Sequence, residues 1–364
     1  MLENNLMKKI FFRLPIFVGS LFFLSCSDNE VTDPHDLAGV PFENLSEYEF
    51  FKGDMANLTP SAKMIGFDLT TPLFTDFAQK KRFLFVPDGE TVAYNPTDFL
   101  EFPIGSMLVK NFYYAHDLRD PAKGKKIIET RVLVHFPDGW DAFTYLWNPE
   151  QTEGFYSVVG KSEQVSFINE QGTDVNINYV VPNKNDCKGC HNINNAFVPI
   201  GPKARYLNRE YDYEEGTQNI LTKLSNDGVL TGLPALEALP EGVVWDDPTT
   251  GTLEERARTY LDINCAHCHR SEGPANHSGL FLNKLEEDPY RLGFCKTPVA
   301  AGNGSGGLEF DIVPADAEKS ILHYRMNSTD PGVMMPELGR SINHDEGIQV
   351  IRDWINSLEP GDCN

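Results

Sequence analysis

Positive charge is scarce in this sequence: 31 Lys and Arg stand against 53 Asp and Glu, a formal charge of −22. Such a surface repels phosphate backbones, which makes nucleic acid a poor partner. A basic protein partner suits it better, although acidity alone also keeps an exported protein in solution. Long apolar runs are missing too. The longest, Ile10 to Leu24, falls short of the roughly 20 residues a helix needs to cross a bilayer. No Ser/His/Asp grouping and no phosphate-cradling loop can be assigned, and no internal repeat is visible apart from one five-residue motif. With 41% hydrophobic and 23% charged residues over 364 positions, the composition is that of an ordinary globular protein with room for two domains.

What is present begins with a leader. Met7-Lys-Lys, Arg13 and the apolar run after them read as a signal peptide over residues 1–25. Phe23-Leu-Ser-Cys26 resembles the lipobox of bacterial lipoproteins, which implies an acylated Cys26 and a lipid anchor at the cell envelope, on the periplasmic face or the surface of the outer membrane. Ser27-Asp-Asn-Glu30 is similar to the surface-export signal of such lipoproteins. A plain secretory signal with a spare cysteine is the alternative. Residues 26–45 then form a polar tether.

Four of the seven cysteines belong to two copies of one motif, Cys187-Lys-Gly-Cys-His191 and Cys265-Ala-His-Cys-His269, which start 78 residues apart. A c-type haem is held by two thioether bonds from cysteines three positions apart, and the following histidine becomes an iron ligand. Each copy supplies all three groups. Two Cys-x-x-Cys pairs can instead make a tetrahedral zinc site. The 74 residues between the pairs and the histidine after each of them favour two covalent haem c groups.

The expected fold class is α+β. Residues 46–200 read as an antiparallel β domain carrying the first motif, with runs such as Arg82–Val86, Met107–Tyr114, Lys126–Phe136 and Asp141–Trp147 and with turn chemistry at Pro87-Asp-Gly89 and Pro137-Asp-Gly139 between or after them. Residues 201–250 read as a helical connector. Thr252 to Asn264 is a helix that delivers Cys265, and Glu346 to Leu358 is an amphipathic terminal helix with Ile348, Ile351, Trp354 and Ile355 on one side.

The order helix, CxxCH, Met335-Pro336 loop and terminal helix resembles class I cytochromes c, which implies an all-α domain over 251–364 with Met335 opposite His269 on the iron. Met334 is the rival ligand, and His267 is expected at the surface. The segment Phe102 to Lys110, then strands, then a CxxCH is similar to the cytochrome c-prime-beta group, which implies an open coordination site on the first iron. Otherwise His116, His135 or Met107 completes it. Cys295 and Cys363 either pair in an oxidising compartment or remain two free thiols.

The whole chain also resembles a family of dihaem c-type cytochrome lipoproteins. The resemblance lies in Thr71-Pro-Leu-Phe-Thr-Asp76, Phe102 to Tyr113, Glu129-Thr-Arg131, Asn183-Lys-Asn-Asp-Cys187, Gly201 to Asn208 and Asn327 to Pro336. It implies electron transfer with a redox partner protein. The alternative function is a redox enzyme or gas-binding protein that works at an open first haem and uses the second as relay.

Overall fold

Strands with apolar residues on both faces need cover on both sides, and the central strands here are of that kind. In the computed structural model, which describes residues 37, 39–299 and 301–363, β1 (Ile65–Phe67), β2 (Gln79–Phe85), β4 (Met107–Ala115), β5 (Lys125–Phe136), β6 (Gly139–Trp147) and β7 (Gly154–Ser157) form one antiparallel sheet in the order β1-β2-β4-β5-β6-β7. The short β3 (Val92–Ala93) pairs in parallel with Leu230–Thr231. The expected leader and Cys26 lie outside the described residues.

One sheet face carries Phe83, Phe85, Val109, Val132, Val134, Phe143 and Tyr145, and the segment bearing Leu45, Phe50, Leu58 and Met64 covers it. Each fully buried side chain of this size contributes about 1.5–3 kcal/mol. The other face is covered in two places. At one end Leu84, Leu108, Leu133 and Ala142 meet α2 (Ala204–Leu207), α3 (Ile220–Asn226) and Ile263. At the other, Phe112, Tyr114 and Ile128 pack beneath the hairpin of β8 (Lys161–Ile168) and β9 (Asp174–Val181).

The hairpin leads directly into α1 (Lys184–Cys190). Asn183 caps it, accepting from the amides of Asn185 and Asp186 at 2.8 and 3.1 Å, while the Asp186 carboxylate accepts from the Asn183 amide at 3.0 Å. A second capping box, Thr252 with Glu255, opens α4 (Leu253–Asn264). Ala257, Tyr260 and Leu261 of α4 pack on Ile348, Ile351, Trp354 and Ile355 of α6 (Asp345–Ser357). Gly347 is required at this crossing, because a Cβ there would collide with the Tyr260 ring.

The expected all-α class I cytochrome c domain over 251–364 is not formed. Between α4 and α6 the described residues contain one short α-helix, α5 (Ile321–Met326), and otherwise turns, single 3-10 turns and isolated bridges such as Phe294 with Ile312. The reason is local. Gly279, Gly293, Gly302, Gly306 and Gly307 take positive φ, and Pro274, Pro289, Pro298 and Pro314 interrupt the rest, so no helix can propagate there. The described part of the molecule is therefore dominated by its sheet, and its residues form one compact unit. A disulfide joins Cys295 in this loop region to Cys363 beyond α6.

Candidate functional site

Both CxxCH motifs take the same local shape. The His191 amide donates to the Cys187 carbonyl and the His269 amide to the Cys265 carbonyl, each at 2.9 Å. One helical turn with that bond puts residues i, i+3 and i+4 on a common side, so each motif presents two thiols and one imidazole together. All four cysteines are free thiols.

The folds of β9–α1 and of α4 bring the two motifs into contact. One donor atom each from Cys190, His267 and Cys268 lies within 4.8 Å of the others, and the Cys268 thiol donates to the Gly189 carbonyl at 3.4 Å. Hydrogen bonds from Cys268 and from His267 draw the Cys190 thiol below its usual range, and Cys268, as donor, moves up. Burial raises Cys187, and it pushes Cys265 up to about 12. His267 does not face solvent as expected. It lines the central cavity, and its Nδ1 is buried with no hydrogen-bond partner.

That cavity lies between the sheet and the loops carrying the motifs. Its apolar wall includes Phe67, Leu69, Phe74, Leu108, Ile263 and Leu338, and Cys187, Cys190, His191, Cys265 and Met335 also line it. His191 stacks on Phe197 with ring centroids 5.0 Å apart, and its Nδ1 meets the Val198 carbonyl at 2.8 Å, which leaves Nε2 as the available nitrogen. His269 holds its Nδ1 3.5 Å from the Ser278 hydroxyl. Burial pushes both imidazoles down to about 4, so both are neutral, the form that ligates metals.

Met335 is set by its backbone: its amide donates to the Arg325 carbonyl at 3.0 Å, and the Met335 carbonyl accepts from Arg340 Nη2 at 2.9 Å. Met334 is buried but does not line the cavity. The three sequence candidates for a further ligand lie elsewhere. Met107 packs on the far face of the sheet, His116 is exposed, and His135 stacks on Trp140 with its Nδ1 near the Phe102 carbonyl. A different histidine, His344, lines the cavity, stacked on Phe74 and bonded through Nδ1 to the Tyr260 hydroxyl at 3.0 Å. Only its place two residues ahead of the terminal helix pattern marked it in the sequence.

Two buried carboxylates fasten these parts together. Asp262, on the turn of α4 before Cys265, accepts from Arg205, from Tyr206 and from the Lys284 amide. Asp76 accepts from the amides of Ser341 and Ile342 and from the Ser341 hydroxyl, which holds the loop after Met335 near the sheet. Comparison with known proteins finds no matching family model, no matching curated protein and no matching solved structure.

Proposed function

We propose that the protein is an exported, lipid-anchored dihaem c-type cytochrome that passes electrons to or from a protein partner. The observation that carries this reading is the pair of like CxxCH turns, each with two free thiols and a neutral imidazole, of which Cys187, Cys190, His191 and Cys265 line one largely apolar cavity. The residues fit the group: a covalent haem needs two thiols on one turn, a histidine with one nitrogen free, and an apolar slot. Cys187 and Cys190 would hold one haem with His191 as iron ligand, and Cys265 and Cys268 the other with His269. When bound, the group supplies a one-electron iron couple.

The chain's own residues orient that couple. The Val198 carbonyl and the Phe197 ring fix the plane and tautomer of His191, a second layer of contacts that tunes a metal ligand. Met335 is the thioether that would join His269 in holding the second haem's iron. Electrons would enter or leave through the surface, whose acidity suits a basic partner. The test is haem per chain in protein matured by a cytochrome c assembly strain, read as pyridine haemochrome. Two per chain is expected, falling to one in Cys187→Ala/Cys190→Ala and in Cys265→Ala/Cys268→Ala. A wild-type value near zero would sink the reading.

One observation favours a second reading, a soft-metal site made by Cys190, His267 and Cys268. Sequence separation argued against any such site, and the fold removes that separation. Structural zinc takes four protein ligands, however, and Cys187 and Cys265 stand outside the cluster. Stoichiometric zinc in haem-free protein, lost in His267→Ala, would support this reading over the first.

A further inference from the structure

Strand register sets three cations in a row. β2, β4 and β5 pair so that Arg82 stands opposite Lys110, and Lys110 opposite Arg131. Residues in register project from the same side of a sheet, and all three line the cavity. Like charges directly opposite one another destabilise a sheet, so this row needs compensation.

The outer two cations have some. Arg131 donates to Glu129 through two nitrogens at 2.8 and 2.6 Å, and Arg82 pairs with Asp68. The middle one has less: among the described residues Lys110 makes no ion pair, the Glu129 charge only partly offsets its neighbours, and its close contact is the Phe112 ring at 4.6 Å. Arg82 is only 5% exposed, yet its Nη2 is buried with no hydrogen-bond partner. The cavity lining as a whole holds Arg82, Lys110, Arg131 and Arg340 against a single carboxylate, Asp186, which is already spent capping α1. Burial and the neighbouring charges of Arg82, Lys80 and Arg131 push the Lys110 ammonium well below its ordinary range, a penalty that an anion in the cavity would remove.

We propose that Arg82 Nη2 and Lys110 Nζ form a carboxylate-binding site inside the cavity, and that its occupant is a propionate of the haem held by Cys187, Cys190 and His191. The occupant, though not the site, rests on the haem reading. A carboxylate matches the donors, since its two oxygens accept from a guanidinium and an ammonium in charge-assisted bonds. The location agrees as well: the charge of Lys110 reaches His191, and that of Arg131 reaches Cys187.

The test compares wild-type holoprotein with Lys110→Met, Arg82→Gln and the charge-conserving Lys110→Arg by spectroelectrochemical titration. A cation beside an iron favours its reduced state, so its loss lowers the potential. In Lys110→Met the expected result is a tenfold shift of one haem's reduction equilibrium toward the oxidised form, about 59 mV for one electron, with the other haem unmoved. Arg82→Gln should shift the same haem the same way, and Lys110→Arg should restore wild-type behaviour. Lys110→Met keeps the apolar stem and removes a charge that has no ion-pair partner, so folding is not expected to suffer. Two haems per chain with both equilibria within threefold of wild type in both variants would overturn the site and leave the haem reading standing. A chain that takes up no haem would overturn that reading and the occupant with it. Titration with acetate separates the sources: a saturable spectral response in wild type that Lys110→Met abolishes would show a free carboxylate in the row and overturn the propionate assignment.

Discussion

Replacing Asp262 by alanine is expected to cost about 3–5 kcal/mol of folding stability, the range for removing one member of a buried ion pair. The carboxylate is fully buried on α4. Arg205 donates to its Oδ2 through Nε at 3.0 Å and Nη2 at 2.8 Å, the Tyr206 hydroxyl donates to the same oxygen, and the Lys284 amide reaches Oδ1 at 3.1 Å. Lys203 Nζ lies 4.0 Å from Oδ1. Burial works to raise the carboxyl's pKa, but the Lys203 and Arg205 charges and the donated hydrogen bonds outweigh it and hold the group well below the usual carboxylate range. Deletion would leave the 8%-exposed Arg205 and the 7%-exposed Lys203 without that anion, and the stranded charges make up most of the cost. Urea unfolding at neutral pH measures the loss. The double variant Asp262→Leu/Arg205→Met should be more stable than either single variant, because neither charge is then stranded. A loss under about 1 kcal/mol in Asp262→Ala, or single and double variants that simply add, would refute the account of this network as the clamp on the second motif.

Two further outcomes follow from the site. If the protein carries the proposed haems, Met335→Ala should abolish the methionine-to-iron charge-transfer band of the oxidised protein, while Met334→Ala leaves it intact; the reverse pattern would make Met334 the ligand. His344 tests the pH dependence of stability. Burial and the Lys80 charge push it from 6.5 down to about 4. Between those values the unfolded chain binds a proton that the folded chain refuses, so stability should fall with pH across that window, at most about 1.4 kcal/mol per unit. His344→Gln should flatten that slope in urea titrations between pH 6.5 and 4.5, and equal slopes would show that His344 is not buried neutral.

How much of this could be read from the chain varies by region. Arg82–Val86, Met107–Tyr114, Lys126–Phe136 and Asp141–Trp147 are recognisable as strands, because aromatic and β-branched residues crowd them and Asp-Gly turns at 88–89 and 138–139 follow two of them. The helices ending at Asn264 and Ser357 are recognisable from their apolar stripes. Spacing alone could not show that these two helices enclose loops rather than an all-α domain. Their order matches class I cytochromes c, but the glycines and prolines from Gly273 to Pro314 decide the intervening chain. Long-range neighbours were hidden for a different reason. Cys190 meets Cys268, and Arg82 meets Lys110 and Arg131, only after strand pairing sets the register, and a one-residue slip would turn each cation to the opposite face. His344 belongs with them, since its role depends on where Phe74 and Tyr260 come to rest.

The scarcity of positive charge takes on a sharper meaning inside this fold. Among the described residues five cations are buried, Arg82, Lys203, Arg205, Lys296 and Arg340, and five carboxylates with them, Asp76, Asp117, Glu129, Asp262 and Asp311. The two sets cancel, so the whole net charge of −22 is carried by the rest of the chain. Most of these groups are visibly matched: Lys296 with Asp311 at 3.0 Å, Asp117 with Arg119 and Lys123, Glu129 with Arg131, and Asp262 with Arg205. Arg340 and Asp76 are satisfied by backbone groups instead. Against that balance the cavity is an exception, because the buried second nitrogen of Arg82 has no acceptor and Lys110 opposite it has no ion-pair partner among the described residues. A protein with so few cations that aligns three of them on one wall of its central cavity is arranged to hold something anionic there.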